Sequence, residues 1–126
     1  MRYFPNPIYK VYSKDGQECI EVLEDITYIL DNYVVIVPKG FVCDGASVPW
    51  LFKDFICPQI DSRTVAAAIL HDYIYRTPTV NISRADADFY FYKISRMDGF
   101  PFCKASLAYL GVRLGGASSY VRRTVS

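Results

Sequence analysis

Val65-Ala66-Ala67-Ala68-Ile69-Leu70 is the most apolar run of the chain, and it leads directly into His71-Asp72-Tyr73-Ile74-Tyr75-Arg76. Wound at 3.6 residues per turn, its apolar side chains do not keep to one stripe. Ala66, Ala67, Ala68, Ile69, Leu70, Tyr73 and Ile74 go nearly all the way round. A helix of that kind is stable only when it is covered on most sides. The rest of the chain must therefore build a shell around a helix that ends near Arg76. Asp61 or Ser62 can cap its start, and Thr77-Pro78 stops it. His71, the only histidine in 126 residues, shares a face with Ala67, Ala68, Ile74 and Tyr75, so its imidazole is aimed at an enclosed space.

Strand signals come first in the chain and helix signals second. Residues 1–7 hold two prolines and an asparagine and read as an irregular arm. Strands fill 8–41: Ile8 to Tyr12 and Glu18 to Leu23 across a Lys14-Asp15-Gly16 turn, then Ile26 to Leu30 and Tyr33 to Val37 around Asp31-Asn32. Residues 42–50 form a polar, glycine-containing loop, and 51–115 form the helical part. A short helix through Phe55 follows Ser47 and Pro49, and Cys57-Pro58 stops it. The helix ending at Arg76 comes next. Ser83-Arg84-Ala85-Asp86 fits a capping box for a further helix to about Met97, broken by Asp98-Gly99. A last helix runs from Phe102 to about Leu114, after Pro101 and before Gly115-Gly116. Residues 117–126 read as a loose basic tail. The sum is an α+β fold in a single domain, 1–126: a small N-terminal antiparallel sheet of hairpins with three to four helices packed on it.

Composition removes several classes. Hydrophobic residues make up 52% and aromatics 16%, with eleven tyrosines and eight phenylalanines, which excludes general disorder. A net charge of +1 gives no global field for nucleic acid, and the basic bias is confined to the end, Arg113 to Arg123. Cys19, Cys43, Cys57 and Cys103 form no C-x-x-C pair, so a zinc site on them has the wrong spacing. No stretch reaches the ~18 apolar residues of a transmembrane segment, and the start lacks the apolar region of a secretion signal. Reduced thiols and synthesis in a host cytoplasm are the expectation. One histidine is too few for a multi-histidine phosphohydrolase or a zinc peptidase. No G-x-S-x-G, P-loop or dinucleotide fingerprint occurs.

Three acidic residues can be weighed against His71. Asp86 belongs to the cap of its helix, where a carboxylate answers the free N–H groups. Asp88 lies beyond the cap, on the face of Arg84, Phe91, Tyr92 and Ser95. If its helix runs antiparallel to the previous one, Asp88 reaches His71. It then either fixes the tautomer of a catalytic base or forms a buried structural pair. An Arg84–Asp88 pair is the competing arrangement, in the weaker order of charges on a helix. Asp72 projects about 100° away from His71. It serves either a hard cation or a salt bridge to Arg76, four residues on. The loop from Gly40 to Ser47, with Gly45 and Asp44, offers tight backbone and oxygen ligands of the kind calcium takes, or an ordinary Asx turn.

Two resemblances follow from these residues. Val37-Pro38-x-Gly40-Phe41-x-x-Asp44-Gly45-Ala46-Ser47-x-Pro49, His71-Asp72-x-x-Tyr75 and Ser83-Arg84-x-x-Ala87-Asp88-x-x-Phe91 together resemble a family of small domains of tailed phages and prophages. That family's function is unassigned, so it implies a setting more than an activity. Locally, His-Asp-x-x-Tyr on one helix with Asp-x-x-Phe on the next resembles the core of secretory A-type phospholipases. That resemblance implies His71 as the base, Asp72 as a calcium ligand, Asp88 as the orienting carboxylate and Tyr75 as the tyrosine of the motif. The chain departs from those enzymes in its loop, which matches only loosely, and in lacking their helix-to-helix cysteines.

The leading expectation is a phage-encoded His–Asp hydrolase acting on an ester or envelope component. His71 and Asp88 would be catalytic. Asp72, Asp44, Gly40 and Gly45 would hold Ca2+, with Tyr75, Ser47 and Arg84 around the site. The alternative is a non-catalytic virion or tail-assembly component bound to other virion proteins. A weaker one is an inhibitor of a host enzyme.

Overall fold

The computed structural model describes residues 2–14, 17–44 and 63–115. Strands come first and helices second, as α+β requires. Six strands are present among the described residues: β1 (Arg2–Phe4), β2 (Tyr9–Lys14), β3 (Gln17–Val22), β4 (Ile26–Ile29), β5 (Val34–Val37) and β6 (Val42–Asp44). Three helices follow among the described residues: α1 (Val65–Arg76), α2 (Arg84–Met97) and α3 (Phe102–Gly115). The chain divides into two compact units, 1–45 and 46–126, with the strands in the first and the helices in the second.

The expected architecture, one small sheet with three to four helices packed on it, is corrected by the strand pairing. The described residues form two antiparallel sheets of three strands each, in the orders β1-β4-β5 and β2-β3-β6. Both expected hairpins form, with Lys14 opposite Gln17 in one and Ile29 opposite Val34 in the other. A lone hairpin is marginal in water, and each gains a third strand distant in sequence. Arg2–Phe4 joins β4, with Tyr3 opposite Tyr28, so the expected irregular arm is a strand. Val42–Asp44 joins β3, with Cys43 opposite Ile20, so the expected loop begins as a strand. Three-residue strands are too short to show a period of two, which is why neither was legible.

Local chemistry sets the boundaries. Leu30 N–H donates to the Tyr33 carbonyl at 2.8 Å, closing a two-residue turn over Asp31-Asn32. Pro38-Lys39-Gly40 turns the chain away from β5, with Gly40 at φ +91°, which a side chain would resist. In β4 and β5 alternate residues are buried: Ile26 and Tyr28, then Val35 and Val37.

In the helical unit α2 packs against both α1 and α3. Helix α1 buries nine of its residues, as its all-round apolar sequence demands. It starts at Val65 after Thr64, later than the expected cap at Asp61 or Ser62, and those two lie outside the described residues. Ser83 caps α2 as expected: its Oγ accepts from the Asp86 N–H at 3.1 Å. At the other end Gly99 N–H donates to the Arg96 carbonyl and Phe100 N–H to the Ser95 carbonyl. That pair of bonds is a Schellman motif, with Gly99 at φ +92° and Phe100 fully buried behind it. The expected helix through Phe55 and the tail 117–126 lie outside the described residues.

Candidate functional site

The core of the site is one carboxylate and its donors. His71 and Tyr75 stand one turn apart on α1, so both face α2. Asp88 is on α2, one turn past its cap, and its side chain is 0% exposed. Oδ1 of Asp88 lies 2.7 Å from His71 Nε2 and 2.5 Å from the Tyr75 hydroxyl. Its other oxygen accepts from Arg113 Nη1 at 2.9 Å. Asp88 thereby ties α2 to α1 on one side and to α3 on the other.

The electrostatics follow from that geometry. Burial alone would push the Asp88 carboxyl up. The hydrogen bonds from His71 and Tyr75, the charge of His71 and the bond from Arg113 oppose it, and the carboxyl is held below its ordinary value. An ionised carboxylate only accepts, so His71 donates through Nε2, and Nδ1 is the ring nitrogen that Asp88 does not engage. Burial, followed by the bond to Asp88 and its charge, pushes the Tyr75 hydroxyl far up, against an opposing pull from Arg84. Tyr75 is therefore a fixed donor. His71 is 6% exposed, with the Tyr75 ring centroid at 4.1 Å from its own and the Phe91 ring edge-on at 5.3 Å.

The other residues singled out in the sequence are arranged differently. Asp72 is buried, and its Oδ2 accepts from Arg76 Nη1 at 2.7 Å, the salt bridge that competed with cation binding. Among the described residues no group of three His, Cys, Asp or Glu side chains is placed to hold a metal ion. A carboxylate already paired with a guanidinium is a poor calcium ligand. Asp44 closes β6 opposite Cys19, and Gly40 donates its N–H to the Val22 carbonyl at 2.8 Å. Gly45 and Ser47 lie outside the described residues. Arg84 does not pair with Asp88. Its Nη2 donates to the Val112 carbonyl at 2.8 Å and the Arg113 carbonyl at 2.6 Å, near the end of α3.

Arg113 is the site residue that sequence reasoning missed. In the sequence it reads with the basic tail, yet it belongs to α3 and reaches Asp88 across the helix interface. The signal available was its place one turn before the Gly115-Gly116 stop, inside a helix already anticipated. Cys19 and Cys43 are buried and Cys103 is exposed. Among the described residues no helix is long and apolar enough to cross a membrane.

Comparison with known proteins adds a family and no activity. No curated protein and no solved structure matches the chain. The model of the family described as Protein of unknown function (DUF1353) matches residues 20–112, a span that includes His71, Asp72, Tyr75, Arg84 and Asp88, and the chain belongs to that family.

Proposed function

We propose that the His71–Asp88 pair is a hydrolytic dyad acting on an ester. The observation that carries this reading is the 2.7 Å contact from Nε2 to a buried, ionised carboxylate. Asp88 holds the ring and fixes its tautomer, and Nδ1 of His71 takes a proton from water as the water oxygen attacks the ester carbonyl. The same proton then passes to the departing alkoxide, leaving acid and alcohol. Tyr75 and Arg113 keep Asp88 oriented and charged. The resemblance to A-type phospholipases supports these roles for His71, Asp88 and Tyr75. A phage or prophage setting, with the ester in a host envelope, belongs to the same proposal and rests on the three sequence blocks.

A second reading has one observation in its favour. Asp88 is wholly enclosed and receives donors from two other helices, which is also what a buried strut in a non-catalytic virion component would look like. The test that separates the two is hydrolysis of soluble esters and of phospholipid vesicles by the whole chain and by His71→Gln. A general base contributes about 10²–10⁴-fold. The dyad therefore predicts a loss of at least about 100-fold in a variant that keeps its circular dichroism. Absence of hydrolysis by the native chain, or full activity in His71→Gln, overturns the hydrolytic reading.

A further inference from the structure

The outer edge of β5 has a self-complementary pattern. Among the described residues β5 pairs with β4 alone, so it is an edge strand. The turn fixes which of its backbone groups are used. Leu30 and Tyr33 form the hydrogen-bonded pair at the turn. With Tyr28 opposite Val35 and Ile26 opposite Val37, those two valines exchange bonds with β4. The N–H and C=O groups of Val34 and Ile36 therefore point away from the sheet.

The side chains agree with the backbone. Val34 is 67% exposed and Ile36 is 54% exposed, and they share a face with Phe4 and Ile29, also exposed. The strand reads Val-Val-Ile-Val, without a charge, a proline or a bulge to blunt it. Edge strands of natural proteins usually carry one of those devices unless a strand is meant to be added.

We infer that β5 pairs with β5 of a second copy of this chain, antiparallel, with Val35 on the two-fold axis. In that register Val34 faces Ile36 of the partner copy, and each such pair exchanges two backbone hydrogen bonds. All the outward groups of Val34 and Ile36 are then used, and no other antiparallel register of β5 on itself uses them all. The product is one continuous sheet, β1-β4-β5 followed by the same strands in reverse order. Across the junction Val34 and Ile36 form β-branched cross-strand pairs on the outer face. An isologous contact of this kind closes on itself, so assembly stops at two copies.

The experiment is the solution mass of the full chain by sedimentation equilibrium over a wide concentration range. Two variants act on the edge alone. Ile36→Pro removes an outward N–H that β4 does not use, and Val34→Lys places a charge on the exposed face. Leu110→Lys, on the exposed side of α3, is the control for association through the helices. The expected result is a concentration-dependent twofold mass for the native chain and for Leu110→Lys. Every β5 variant that is folded by circular dichroism should show the single-chain mass. A native chain that stays single at every concentration overturns the inference. So does a twofold mass that survives in a folded β5 variant, or one that Leu110→Lys abolishes.

Discussion

Asp88 is a fully buried charge, and its cost is offset because three donors converge on it. Removing the charge leaves Arg113 and the His71 N–H facing a neutral group. Replacing Asp88 by Ala is expected to cost about 3–5 kcal/mol, read as a lower denaturant midpoint. Tyr75→Phe removes one donor to a charged acceptor and leaves the other two in place, an expected loss of about 1.5–3 kcal/mol. The pH dependence has a definite sign. The folded carboxyl sits below its ordinary value of 3.8, so its stabilisation is fully present above that value. It is lost as the pH falls from 3.8 towards the lower folded value. Urea midpoints of the native chain and of Asp88→Asn should therefore keep a constant gap down to that range and converge below it. A gap that narrows already near neutrality would show that some other group is titrating.

At the scale of the element, helix α2 carries the site, and its ends are set by chemistry written in the sequence. Ser83→Ala should cost about 1 kcal/mol by freeing the Asp86 N–H. Gly99→Ala meets no neighbouring atom, so its expected penalty, about 1–2 kcal/mol, is the backbone strain of φ +92° alone. The same local signals explain what could be read in advance. Ser83, Asp98-Gly99, Asp31-Asn32 and the all-round apolar α1 act through neighbours in sequence, and the elements they mark are where they were expected, except that α1 starts later, at Val65. The His71–Asp88 pair was legible because two antiparallel helices bring one-turn spacings together. The third strands, β1 and β6, were not legible, because their pairing depends on partners 20 or more residues away. Arg113 was missed for the same reason: its meaning comes from Asp88, which lies 25 residues earlier. Asp72 had two readings of equal standing in the sequence, and only the position of the Arg76 guanidinium distinguishes them.

For the whole molecule, the division into a strand unit and a helical unit has a consequence for how damage spreads. Asp88 links three helices of one unit and makes no bond to a strand among its described partners. Amide exchange of Asp88→Ala should accelerate in α1, α2 and α3 while the β4–β5 hairpin keeps its protection. Equal acceleration in both units would show that they unfold as one. Everything proposed for function passes through the contact between His71 Nε2 and Asp88. Because the chain holds a single histidine, the imidazole ¹⁵N spectrum of the native protein reports that contact without assignment. The paired geometry predicts a ring that carries a proton on Nε2, with that proton shifted downfield and the shift lost in Asp88→Asn. A ring protonated on Nδ1 alone, or one whose signals are the same in Asp88→Asn, would contradict it.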